Sequence, residues 1–141
     1  MAVINADGLI VGRLASTVAK RLLLGEEIFI VNIDRAVLSG SGTNTFEEYR
    51  AFRDKGSRER GPYFPRMPDQ IMKRTIRGMV PYRRKSGRDA LARLRIYIGV
   101  PEELRRKVKE FEIVEQASVS RLSSAKFTRL GDLSKMLGAK F

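Results

Sequence analysis

The chain has 141 residues, 43% of them hydrophobic, and a formal net charge of +12. That length predicts a single domain spanning residues 1–141 with a real core, and the hydrophobic share excludes disorder throughout. With neither cysteine nor histidine, the chain has no disulfides, thiolate metal sites, cysteine nucleophiles or imidazole proton shuttle.

From the N-terminus, AVIN reads as a short strand and ADG as a turn in which Gly8 takes a positive φ. IVGRLASTVAKRLLLG then sets Ile10, Leu14, Val18 and Leu22 at steps of four, one apolar helical face closed by Gly25. The β-branched run 27–34, EIFIVNID, reads as a buried strand, and RAVLSGSG as a short strand before a glycine turn. Strand, helix and strand in this order predict a parallel sheet. A helix is expected from Thr45, where Thr45 and Glu48 have capping-box spacing. KGSRERGPYFPRMP, with two glycines and three prolines, reads as an extended basic loop over 55–68. PDQIMKRTIRGMV is the next helix, started at Pro68 or Asp69 and ended by Gly78 and Pro81, with Gly78 supplying freedom. After a basic turn, YRRKSGR, come a short helix DALARL, a strand RIYIGV and a helix opening at PEEL. EIVEQ is expected as a last strand, and FTRLGDLSKMLG as a last helix. No apolar run approaches the ~20 residues of a membrane helix. The start MAVINADGLIVGRLA lacks the layout of a signal peptide, so a soluble protein of the cell interior is expected.

Three stretches are candidates for chemistry. LSGSGTNT, which contains the turn Gly40–Asn44, is a glycine turn after a strand, where free N–H groups can hold phosphate. It has Thr45 where the dinucleotide fingerprint needs a third glycine, and no lysine for a P-loop. Ordinary turn chemistry is the better reading, with a nucleotide- or phosphate-using enzyme as a minor alternative. The carboxylates Asp7, Asp34, Glu47, Glu48 and Asp54 show no spacing that names a reaction, so no catalytic residue is assigned.

The third stretch is the basic middle. Residues 50–95 hold 15 basic and 4 acidic side chains, so nearly the whole charge excess lies there. The loop carries Arg58, Arg60 and Arg66 among Tyr63 and Phe64; Lys73, Arg74 and Arg77 follow on the helix; Arg83, Arg84, Lys85 and Arg88 make the turn. Arginine binds phosphate bidentately, and aromatic rings in such a loop can stack on unpaired bases. Like charge gathered beside a core implies a polyanionic partner, and nucleic acid fits better than a membrane because the basic loop lacks an amphipathic helix with a broad apolar face.

GLIVGRLASTVAKRLL, IFIVNIDRAVLSG, RGPYFPRMPDQIMKRTIRGMVP and GRDALARLRIYIGVP, in that order, resemble the family of the thirteenth large-subunit ribosomal protein. The likeness spans residues 2–138 and is to the archaeal and eukaryotic branch, leaning archaeal. The resemblance implies a three-layer α/β/α fold around a mainly parallel four-stranded sheet, and a non-enzymatic role in the large subunit, bound to its rRNA, touching neighbouring ribosomal proteins and joining early in assembly. It adds Arg13 of GRLA to the RNA-facing set and implies no cofactor, metal, membrane, small-molecule substrate or obligate homo-oligomer. A free RNA-binding regulator of translation has the same composition and stays open.

Overall fold

The computed structural model describes residues 2–40, 42–54, 64–107, 109–121 and 126–141, the side chain of Arg53 excepted. Its centre is a parallel sheet of three strands in the order β1 (Ala2–Asn5), β2 (Ile28–Val31), β4 (Leu94–Ile96). Ala2 faces Ile28 and Asn5 faces Val31, while Ile28 faces Leu94. Because successive side chains alternate across a strand, the apolar run divides between two faces. Ile4, Ile28, Ile30 and Leu94 enter one large core; Val3 and Val31 enter a smaller one with Phe29 and Tyr97 against it. Coverage on both faces explains why β2 is apolar without interruption.

The large core is closed by four helices. The first, α1 (Val11–Leu23), buries Val11, Leu14, Ala15, Val18, Ala19 and Leu22. Its end is a Schellman turn: the N–H of Glu26 donates to the Arg21 carbonyl, that of Gly25 to Leu22, and Gly25 takes φ +99°. The others are α3 (Pro68–Arg77), α4 (Lys85–Ala92) and α6 (Leu130–Met136), which contribute Ile71, Met72 and Ile76, then Ala90, then Leu130 and Leu133. The smaller core is covered by α5 (Glu102–Lys107) through Leu104. The layers are therefore α/β/α, one thick and one thin.

The sheet departs from the four strands expected. β3 (Val37–Ser39) leaves it and pairs antiparallel with β5 (Phe127–Arg129), Val37 facing Arg129. β5 itself occupies the start of the expected last helix, and α6 begins only at Leu130, whose N–H donates to the Ala36 carbonyl. The expected strand EIVEQ shrinks to one parallel bridge, Glu112 to Ile4, made by two hydrogen bonds to Val3 and Asn5. Ile113 is 62% exposed, so the segment lacks the two-sided burial that would continue a fourth parallel strand.

Local differences have local causes. β2 ends at Val31, not residue 34, because Asn32 turns left-handed at φ 57° and its amide donates to the Asn5 side chain at 3.1 Å. The helix expected from Thr45 is α2 (Gly42–Asp54). Thr45 is thus inside it and 8% exposed, so it does not cap.

Ile30 is fully buried under the thick layer, whereas Phe29 is half-buried under α5. Ile30→Ala is expected to lower stability by about 2–5 kcal/mol, and Phe29→Ala by less despite the larger side chain removed. Urea midpoints at an unchanged slope check that order; a reversed order rules out the thin layer as the weaker one.

Candidate nucleic-acid interface

The basic residues of 66–88 are carried by α3, the turn after it and the start of α4. Pro68 opens α3, Asp69 lies in its first turn, and Arg74 and Arg77 in its last, an arrangement suited to the helix dipole. Ile71, Met72 and Ile76 face the core. Lys73 and Arg77 are exposed on the other side, with Arg74 half-buried between. Together with Pro65 and Gln70 these three cations line an open cleft of 340 Å³.

The chain then leaves the helix through Gly78, Met79, Val80 and Pro81. Gly78 keeps a helical φ of −67°, so it does not supply the conformational freedom expected of it. Val80 is buried and anchors the turn. The Arg84 N–H donates to the Pro81 carbonyl at 3.0 Å, and α4 starts at Lys85. The expected basic turn is therefore half helix: Arg83 and Arg84 precede α4, while Lys85 and Arg88 lie in its first turn.

Gly87 fixes where that first turn sits. It is buried, and a Cβ on it would fall 2.0 Å from the Pro81 carbonyl oxygen and 2.7 Å from the Tyr82 nitrogen. Only a residue without a side chain lets α4 lie directly on the preceding turn. From the sequence Gly87 belongs to the basic turn YRRKSGR, and only the structure places it inside a helix, where a glycine normally costs about 1 kcal/mol relative to alanine.

The aromatic rings are engaged from within the protein. The Arg77 guanidinium lies 5.0 Å from the Tyr82 ring centroid and that of Arg83 5.9 Å from the same ring. Arg74 lies 4.9 Å from the ring of Phe64. Phe64 also stacks on Phe52 at 5.3 Å and meets Tyr49 edge-on at 5.7 Å. Burial raises the Tyr49 phenol above the ordinary tyrosine range, with Glu48 adding to the effect. Phe64 is thus tied into the fold by Arg74, Phe52 and Tyr49.

Outside this stretch Arg21, Arg35, Arg50, Arg106 and Arg129 have acidic partners. Arg21 donates to Glu26 and to Glu112, both at 2.7 Å, and the hydrogen bond to Glu112 leads in raising its pKa, against the opposing effect of burial. Asp7 sits 3.7 Å from Arg35 and 3.6 Å from Arg129. Among the described residues, no ion pair involves Arg66, Lys73, Arg74, Arg77, Arg83, Arg84, Lys85 or Arg88.

Arg13 is exposed at the start of α1 and lines a separate groove with Glu48 and Tyr49 of α2. Arg58, Arg60 and Tyr63 lie outside the described residues. In the glycine turn, Gly40 takes φ +105°, and a Cβ on Gly42 would meet the Thr128 hydroxyl at 3.2 Å, so packing against β5 accounts for that glycine.

Residues 1–103 match the family model described as ribosomal protein L13. The chain belongs to the ribosomal protein L13 family. It is 58% identical over 141 residues to the large ribosomal subunit protein uL13 of Methanococcoides burtonii, with all of both chains covered. Identity to the protein of the same name from Methanosarcina barkeri is 57%, again with both chains covered in full. For that of Archaeoglobus fulgidus it is 50%, covering 96% of this chain and 86% of the relative. The L13 family is one of ribosomal proteins and not of enzymes, in keeping with a sequence that carries no catalytic constellation. The match agrees with the resemblance read from the motifs, including its archaeal leaning.

Gly87→Ala is expected to lower stability by about 1–3 kcal/mol or more, because the added methyl meets backbone that cannot swing aside. Gly78→Ala, whose Cβ would have 3.6 Å of clearance at a helical φ, is expected to be neutral or to stabilise by about 0.4–1 kcal/mol. Thermal melts of the two variants decide between close packing and mere flexibility as the reason for the glycines.

Proposed function

We propose that the chain is a structural constituent of the large ribosomal subunit that binds large-subunit rRNA through Arg66, α3, and the corner between α3 and α4. The observation that carries this reading is the set of eight cations over 66–88 that lack acidic partners among the described residues and lie on, between or just before α3 and α4. Packing like charge so tightly raises the free energy of the isolated protein, and a polyanion relieves it. The names of the relatives supply the subunit; the charge supplies the ligand class. Arg13, and Arg58, Arg60 and Tyr63 of the loop, belong to the proposed RNA-facing set as well. Neutralising phosphate at several points steadies the RNA fold and suits a role early in assembly, beside neighbouring ribosomal proteins and in the cytoplasm. No cofactor, small-molecule substrate or homo-oligomer enters this role.

If about 6–10 phosphates are contacted, affinity for a large-subunit rRNA fragment falls roughly 10³–10⁵-fold between 50 and 200 mM salt. Replacing Arg83, Arg84, Lys85 and Arg88 with serine is expected to weaken binding and flatten that salt dependence while leaving the melting temperature nearly unchanged. Filter binding across a salt series, beside a thermal melt, measures both; a flat response in the unsubstituted protein sinks the proposal.

A further inference from the structure

Among the described residues, the proposed RNA-binding face has two aromatic rings, Phe64 and Tyr82, and both carry arginines. Tyr82 is 37% exposed, enough for a base to reach it, yet the guanidiniums of Arg77 and Arg83 both lie within 6 Å of its ring centroid. Phe64 carries Arg74 and is held by Phe52 and Tyr49. Proteins that take single-stranded RNA need rings on which unpaired bases stack. Here a base stacking on the ring faces that the guanidiniums cover would have to displace an arginine.

A guanidinium resting on a ring has fewer orientations open to it, so its planar fork is presented in a fixed direction. Arg77 and Arg83 reach Tyr82 from different elements, the last turn of α3 and the segment before α4. The ring thus ties together cations that the turn at Gly78–Pro81 separates. Among the described residues, this array offers several N–H forks, with a guanidinium resting on each of its two rings.

Resting on the RNA-binding reading above, we propose that Tyr82 and Phe64 are pedestals for arginines rather than platforms for bases, and that this face takes double-helical RNA by its phosphates without regard to base identity. A duplex keeps its bases stacked inward and presents backbone, the chemistry that fixed guanidinium forks match. Tyr82 is on this view a positioning residue: it acts through Arg77 and Arg83.

The test is fluorescence anisotropy with the full chain and three labelled RNAs. These are a hairpin of roughly 16 base pairs, a second hairpin of shuffled sequence and equal composition, and one strand of the first without its complement. The two hairpins are expected to bind within about twofold of each other and the single strand at least about fivefold more weakly. Tyr82→Phe keeps the ring and is expected to keep the affinity. Tyr82→Ala is expected to weaken both hairpins alike, roughly two- to fivefold, with thermal melts verifying the fold. Arg77→Lys keeps the charge but loses the planar fork, and the same loss is expected. Equal or tighter binding of the single strand, discrimination between the hairpins, or an effect of Tyr82→Ala on the single strand alone would overturn the proposal. Failure of all three RNAs to bind at about 50 mM salt would remove the RNA-binding reading itself, and this inference with it.

Discussion

The basic face depends on a contact that contains no charge at all. Gly87, in the first turn of α4, lies against the Pro81 carbonyl so closely that no side chain fits between them. Pro81 follows Val80, which is buried in the large core, so the contact ties one helix to the exit of the other. Arg83, Arg84, Lys85 and Arg88 take their positions from that junction, and Tyr82 lies inside it. A patch built on exposed, repelling side chains needs backbone that does not yield. Close packing supplies this because protein interiors transmit displacement instead of absorbing it.

Much of the fold is legible from local pattern. The four-residue steps of Ile10, Leu14, Val18 and Leu22 marked α1, and Gly25 marked its end, because a helix and its cap are decided within a few residues. The β-branched run around Ile28–Val31 marked a strand covered on both faces. The pairing of β3 escaped because its partner lies some ninety residues away at Phe127–Arg129, and no local signal encodes a long-range antiparallel register. EIVEQ failed as a strand for a related reason: its composition permits extension, but Ile113 points to solvent and only Glu112 finds a partner.

The candidate interface was legible in its charge and not in its geometry. Counting cations located residues 50–95, since charge segregates by sequence position. The roles of the rings were not accessible in that way. An aromatic residue among arginines has the same composition whether it stacks on a base or supports a guanidinium; only distances such as the 5.0 Å between Arg77 and Tyr82 separate the two. Likewise, glycine marks both flexible turns and tight contacts. Gly78 and Gly87 are nine residues apart in one basic stretch, and the structure assigns close contact to the second alone.

The antiparallel ribbon of β3 and β5 has a consequence for how the molecule is made. Val37 pairs with Arg129, Leu130 hydrogen-bonds to Ala36, and Gly131 packs so closely on Asp34 that a Cβ there would lie 2.8 Å from its carbonyl oxygen. One corner of the fold thus joins a segment to another made some ninety residues later in synthesis. While the chain emerges, β1, α1 and β2 can assemble, but the stretch around Ile33–Val37 waits for its cover, with apolar surface open to water. Such non-local closure slows folding, because chain entropy is lost before the contacts that reward it form. The partly finished chain is therefore the form of this protein most exposed to wrong association, and residues 127–131 end that exposure.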